Sequence, residues 1–191
     1  SSELVSPRPH PNLPLRGEGT CQWRARAGGS PLETRASESK PRKGNAMSDA
    51  DFREQFRSFC LSNLTITDVE NYLEVKDTVL VPMASFEQHG PHLPLWTDSL
   101  TAETVASRVG EEIGVIYTPV VWMGYSPQHM HEPGRGRGTI TVRSSTLLNL
   151  IHDVGRSLIH HGFNRIIFIN GHGSNIKVID PALRKLRYET G

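Results

Sequence analysis

From residue 78 onward, short apolar segments alternate with amphipathic ones, and this alternation restricts the fold more than any other feature of the chain. The runs 78–83, 115–121 and 165–170 are rich in Val, Ile and Phe and have the length of buried strands. The segments that follow them repeat apolar residues every three or four positions, which predicts helices. Alternating strands and helices are typical of a mostly parallel sheet covered on both faces. The sequence therefore predicts an α/β fold with three layers, α/β/α.

Residues with strong capping preferences mark the ends of several helices. Thr67, with Glu70 three residues later, predicts a capping box. Ser99 and Ser145 are predicted N-caps of two longer helices, and Gly162 is predicted to end the second of them in the left-handed conformation. The predicted helices are 51–60, 67–75, 99–112, 147–161 and 176–188, and a further short strand is predicted at 139–142.

The first 46 residues differ from the rest of the chain in composition. They are rich in Pro, Arg, Gly and Ser and show no helical or strand periodicity. Such a segment buries too little apolar surface to offset the entropy lost on ordering. A basic arm for an anionic partner and an organelle transit peptide are two functional alternatives, although four glutamates oppose the second. We interpret residues 1–46 as a disordered or non-native basic tail and residues 47–191 as one domain.

Charge and cysteine content exclude several classes of protein. Residues 47–191 hold 13 basic and 16 acidic residues, a net charge of −3, which does not favour nucleic-acid binding. No apolar run approaches the roughly 20 residues that a membrane span needs. Cys21 and Cys60 form neither a disulfide framework nor a CxxC pair, so we expect a cytoplasmic protein.

The loop after the first predicted strand is dense in residues that bind metal ions. It contains Glu87, His89 and Asp98, and His172 lies in a Gly-His-Gly turn after the last predicted strand. Carboxylates and imidazoles are ligands of Zn²⁺ and Mn²⁺. Both loops follow the carboxyl ends of strands, the edge of an open α/β sheet where active sites form. We therefore expect the two loops to converge on one metal site.

The spacing within these loops suits the same chemistry. Glu87 and His89 are two residues apart, so an extended segment turns both to one side. Asp98 is suited to bridge two ions about 3.5–4 Å apart. Gly171 and Gly173 flank the second histidine, and we expect their amides to face a developing oxyanion. Each residue alone is more often a cap, a turn or a solvated loop residue, but three ligand types within twelve residues favour a metal site.

Two motifs resemble those of the creatininase (creatinine amidohydrolase) family. They are SFEQHGPHLPLWTD at 85–98 and NGHGSN at 170–175, and the resemblance covers residues 78–191. It implies a three-layer fold with one or two divalent ions, Zn²⁺ or Mn²⁺ with Fe²⁺ as a further candidate. It also implies a homo-oligomer that hydrolyses a non-peptide or cyclic C–N amide, or a formamide, of a small molecule with metal-activated water.

Matching positions carry the family's ligands onto this chain. Glu87, Asp98 and His172 would bind one ion, and His89 with the bridging Asp98 would bind a second. Creatininase has a glutamate two residues after the second-motif histidine, whereas this chain has Ser174 there. That departure argues against creatinine as the substrate. The family's domain also continues with aromatic, His and Glu residues of the active site, so we expect the domain to be incomplete at its C-terminal end.

Other polar residues have weaker assignments. His92 is predicted to orient a ligand, and His131 and Glu132 are the candidates for the general acid that protonates the leaving nitrogen. Both candidates lie in a Gly- and Pro-rich loop at 123–138, where a solvated residue is the alternative. A metal-binding or assembly protein without turnover is the alternative function. A nucleotide-binding protein is disfavoured because neither GxxxxGK[ST] nor GxGxxG is present.

Overall fold

The structure, a computed structural model, describes residues 49–54, 56–131 and 134–191. Within these ranges the sheet is parallel, with the strand order β2-β1-β3. The strands are β1 (Thr78–Met83), β2 (Ile116–Tyr117) and β3 (Arg165–Asn170). The α-helices are α1 (Asp49–Glu54), α2 (Ile66–Leu73), α3 (Thr97–Ile113), α4 (Ser144–His160) and α5 (Ile176–Thr190), with 3-10 turns at Leu61–Asn63, Pro127–His129 and Gly173–Asn175. The predicted tail, residues 1–46, lies outside the described residues.

Strand β1 is the centre of the fold, because it pairs on both sides and is buried over all but its first residue. Its alternate residues Val79, Val81 and Met83 pack into two apolar clusters with residues of α4 and α5. The intervening residues point to the opposite face, and α3 packs against all three described strands. The predicted three-layer α/β fold is therefore confirmed.

Helix α3 approaches the sheet through small side chains. Ser99, Ala102, Ala106 and Gly110 are its buried residues, while Leu100 is 54% exposed. A Cβ atom at Gly110 would lie 2.5 Å from the Tyr117 ring, so a larger residue would push the helix away. Close approach thus decides which side of α3 is buried, and large apolar side chains remain on its outer side.

Three predicted helix N-caps were wrong by two to three residues. The capping box at the start of α2 is formed by Thr65 and Asp68, whose side chains each accept the other's amide, instead of Thr67 and Glu70. Ser99 and Ser145 lie inside α3 and α4 and do not cap them. Gly162 follows α4 with φ of 100°, as predicted.

The predicted helix 51–60 ends early, at Glu54, because the chain next joins the sheet. The Tyr117 amide donates to the Phe59 carbonyl, and Cys60 pairs with Tyr117 in a parallel bridge. These contacts require extended backbone at 59–60, which helical periodicity alone does not reveal.

Two predicted strands are shorter than expected. The run 115–121 yields only β2, since Pro119 has no amide to donate, although the chain stays beside β1 through a hydrogen bond from the Val121 amide to the Pro82 carbonyl. The run 139–142 forms only isolated bridges. Strand β3, predicted as a buried strand, lies at the edge of the described sheet, and its Ile167 is 50% exposed. In the described part of the chain, every helix is too short or too polar to cross a membrane.

Candidate metal centre

The carboxyl ends of β1 and β3 lie side by side, which brings the two predicted loops together. Met83 pairs with Asn170 at the last position of both strands, and the Gly171 amide continues the ladder by donating to the Met83 carbonyl at 2.8 Å. Glu87 and His172 follow shortly after these strand ends. The predicted convergence of the two loops that follow these neighbouring parallel strands is confirmed.

Asp98 reaches the same point from the first turn of α3. The helix comes close because Gly171 has no side chain: a Cβ atom there would lie 2.6 Å from the Asp98 carbonyl oxygen and 3.0 Å from the Ala102 Cβ atom. A carboxylate in the first turn of a helix is favoured by the helix dipole.

The four predicted ligand residues form one compact cluster. Asp98 Oδ2 lies 2.9 Å from His172 Nδ1, and Asp98 Oδ1 lies 2.9 Å from His89 Nε2. Glu87 Oε1 lies 3.3 Å from His172 Nδ1. One ligand atom each from Glu87, Asp98 and His172 all fall within 4.8 Å of one another. Because its two oxygens face different histidines, Asp98 has the geometry of a bridging carboxylate.

The removal of these carboxylates from water costs folding free energy unless a positive charge compensates for it. Glu87 and His172 are buried, and the side chain of Asp98 is 12% exposed. In the described part of the chain, histidines are the only basic side chains that pair with these two carboxylates. Desolvated carboxylates need compensating charge. Two carboxylates with imidazoles match the donor set of Zn²⁺ and of Mn²⁺.

The orientation of His89 is set by the loop that carries it. Its Nδ1 lies 3.0 Å from the Glu87 carbonyl oxygen, which only accepts, so Nδ1–H donates and Nε2 is directed to Asp98. Burial by itself lowers the pKa of His89, but the Glu87 carbonyl and the two carboxylates outweigh burial and raise it. The arrangement leaves Nε2 as the ligand atom.

Two asparagines that the sequence interpretation did not single out hold the His172 loop. Asn170 Nδ2 donates to the His172 carbonyl at 2.7 Å, and the His172 amide donates to Asn170 Oδ1 at 3.2 Å. Asn175 is fully buried and donates to the Ala84 carbonyl at 2.8 Å, while it accepts from the Tyr125 amide at 2.9 Å. Both asparagines belong to the NGHGSN motif, and this motif is the sequence feature that could have identified them.

The other side of Glu87 faces the loop at 127–138. Glu87 Oε2 lies 3.4 Å from His129 Nε2 and 3.5 Å from Gln128 Nε2. Beside them is a cavity of about 360 Å³, lined by Gln88, Gln128, His129, His131, Arg135 and Gly136. His131, predicted as a general acid, therefore lines the same cavity as the two side chains that contact Glu87. Glu132, the other candidate, lies outside the described residues.

The predictions about Gly171 and His92 need correction, whereas the prediction about the Gly173 amide stays a prediction. The Gly171 amide is unavailable to an oxyanion, because it donates to the Met83 carbonyl. Gly173 is exposed, and a Cβ atom there would meet open space. His92 is exposed, its ring lies near Gly90, and among the described residues it makes no hydrogen bond to a predicted ligand.

The fold and the cluster together define an α/β protein with a carboxylate–histidine site at the carboxyl edge of a parallel sheet. The model of the Creatininase (creatinine amidohydrolase) family matches residues 62–191. The chain therefore belongs to the creatininase family, as the resemblance of its two motifs implied.

Curated relatives and solved structures agree with this assignment. The chain is 41% identical over 117 residues to the mycofactocin precursor peptide peptidase of Mycolicibacterium smegmatis, covering 58% of this chain and 45% of that protein. It is 35% identical over 138 residues to the creatinine amidohydrolase of Pseudomonas putida, covering 69% and 53%. Two creatininase structures, a mutant of Zn-Zn type and a form described as Creatininase Mn, match with TM-scores of 0.61 at 32% identity and cover 70% of this chain and 54% of theirs. The chain spans about half the length of the curated relatives it matches.

Proposed function

We propose that this chain acts as a metal-dependent amidohydrolase that cleaves a non-peptide or cyclic C–N amide, or a formamide, of a small molecule. The observation that supports this most is the pair of carboxylates formed by buried Glu87 and largely covered Asp98, whose described basic partners are histidines alone. Glu87, Asp98 and His172 would hold one divalent ion. His89 and the second oxygen of Asp98 would hold another.

Zn²⁺ and Mn²⁺ are the ions that we propose. The donor set suits both, and Fe²⁺ is a further candidate on the same grounds. Creatininase structures of a Zn-Zn type and of an Mn form exist among the relatives. A bound ion of this kind supplies a Lewis acid that lowers the pKa of water to about 7.

We propose that the substrate enters the cavity beside Glu87. Amide, imidazole and guanidinium groups line this cavity, so it suits a small polar molecule. His131 lines the cavity and would protonate the leaving nitrogen, with Glu132 as the second candidate. The substrates to be tested are a panel of small amides and formamides. Because one relative is named as a peptide peptidase, the panel also includes short peptides. The homo-oligomeric state and cytoplasmic location stay predictions.

A second candidate function is metal binding without turnover. Ser174 stands where creatininase has a glutamate, and its hydroxyl is a poor ligand for a divalent cation compared with a carboxylate. A second ion would then have one ligand fewer. This alternative predicts bound metal without hydrolysis of any member of the panel.

The experiment measures metal content by elemental analysis in the full 191-residue chain. We expect about one or two Zn²⁺ or Mn²⁺ per wild-type chain, and loss of the metal in the His89→Ala/His172→Ala double variant. His160→Ala, an exposed histidine on α4, is the matched control and should keep the metal. A wild-type chain that binds no metal, or a double variant that keeps it, would contradict the proposal. Hydrolysis that stops on chelation and returns with metal would separate the enzyme from the alternative.

A further inference from the structure

A row of buried hydrogen-bonding groups continues behind His172, on the side away from the carboxylates. His172 Nε2 lies 3.1 Å from Ser126 Oγ and 3.2 Å from the Tyr125 carbonyl oxygen. Ser126 Oγ lies 2.5 Å from Ser85 Oγ. With Asp98 on Nδ1, the order is carboxylate, imidazole, hydroxyl, hydroxyl.

This order matches an Asp-His-Ser triad, but burial excludes a nucleophilic role for the serine. A nucleophile has to reach the substrate carbon. Ser126 is 0% exposed, and so is Ser85 behind it. The His172 ring separates Ser126 from Asp98 and Glu87, the groups that would hold the metal. The hydroxyl can therefore act only through the imidazole.

We propose that Ser126 is a positioning residue that, together with the Tyr125 carbonyl, holds His172 in its metal-binding tautomer. The Tyr125 carbonyl only accepts, so its contact with Nε2 requires a proton on that nitrogen. A neutral imidazole with its proton on Nε2 has a lone pair on Nδ1. Nδ1 is the atom that faces Asp98 and Glu87 at 2.9 and 3.3 Å. Partners that fix the ligand's tautomer in this way raise metal affinity.

The second serine is a further partner of the Ser126 hydroxyl. Either hydroxyl can donate to the other, so Ser126 Oγ can accept from His172 Nε2 and keep its hydrogen bond with Ser85 Oγ at 2.5 Å. The backbone of Ser126 is held independently, because its amide donates to Thr141 Oγ1 at 2.8 Å. Removal of the hydroxyl therefore leaves the chain in place and takes away one of the two acceptors that His172 Nε2 has among the described residues, the other being the Tyr125 carbonyl.

The inference rests on the proposed metal centre and is tested with Zn²⁺ itself. Competition with a fluorescent chelator gives the Zn²⁺ affinity of the full chain, and Ser126→Ala should weaken it roughly 10- to 100-fold. Ser157→Ala is the matched control, since the one partner of this hydroxyl among the described residues is the Asp153 carbonyl within α4, and its affinity should equal that of the wild type. Far-UV circular dichroism checks that both variants fold.

A second measurement needs no variant. Long-range ¹H–¹⁵N NMR spectra of the Zn²⁺-loaded wild type should show the His172 proton on Nε2, and a proton on Nδ1 would overturn the inference. Equal affinities of wild type and Ser126→Ala would overturn it as well, while leaving the metal centre intact. Labelling of Ser126 by a fluorophosphonate would show a nucleophile and also overturn it. If the wild type binds neither Zn²⁺ nor Mn²⁺, the inference and the proposed function fail together.

Discussion

Gly171→Ala places a methyl group between the end of β3 and the first turn of α3. The new Cβ atom would lie 2.6 Å from the Asp98 carbonyl oxygen, whereas ordinary contact begins at 3.4 Å. The backbone on one side has to move by about 0.8 Å, since protein interiors compress little. Overpacking of this kind costs about 1–3 kcal/mol of folding free energy. The same shift moves Asp98 beyond the roughly 0.5 Å within which a site has to be held.

We therefore expect two effects from this variant. Urea unfolding followed by circular dichroism should show a loss of about 1–3 kcal/mol. Chelator competition should show Zn²⁺ binding weakened on the order of tenfold, because Asp98 would no longer meet His89 and His172 at their present distances.

Gly173→Ala is the matched control in the same loop. A Cβ atom at Gly173 meets nothing within 4 Å, so its unfolding free energy should stay within about 0.5 kcal/mol of the wild type. If Gly171→Ala and Gly173→Ala lose the same stability and the same metal affinity, close approach of α3 is not what requires the glycine. A Gly171→Ala variant with normal stability but impaired metal binding would refute the overpacking argument and leave the role of Asp98 in metal binding untouched.

Two further predictions concern hydrogen bonds between elements. Asn175→Ala leaves two main-chain groups without their partner, and we expect a loss of about 1–3 kcal/mol for each in urea unfolding, whereas exposed Asn164→Ala should change little. The hydrogen bond from His152, at 2.7 Å, holds the pKa of Glu189 below its ordinary value, so its contribution is present above the unfolded-state pKa and is lost as pH falls through the folded-state pKa. Glu189→Gln should therefore show a flatter fall of melting temperature between about pH 6 and pH 3, and an unchanged slope would contradict this.

Local patterns predicted most elements of the fold but not their ends. Strands β1 and β3 were predicted with their observed bounds, because each is a continuous apolar run. Strand β2 was predicted too long, since apolar character continues past Pro119 while the ladder does not. The buried side of α3 depends on Gly110 and its small neighbours, which carry little apolar signal of their own. Close backbone approach is a tertiary property that periodicity does not contain.

In the candidate site, the acids and histidines could be predicted from the sequence, whereas the neutral residues around them could not. Glu87, His89, Asp98 and His172 were identified because acids and histidines packed into short loops are unusual. Ser126 is a residue type that is common on protein surfaces, so only its burial reveals a role.

Those neutral groups nevertheless decide which atom of each charged residue faces the cluster. His89 is oriented by a main-chain carbonyl and His172 by a carbonyl and a hydroxyl. A carbonyl only accepts, so it excludes one of the two neutral tautomers of the histidine beside it. A further carboxylate would exclude the same tautomer but would add a negative charge to an already acidic site. Neutral acceptors behind the histidines would therefore let the carboxylates of Glu87 and Asp98 hold the proposed cation without a third negative charge nearby. The identity of such acceptors follows from the path of the backbone. Around Tyr125 and Ser126 that path is held by hydrogen bonds from their amides to Asn175 and Thr141.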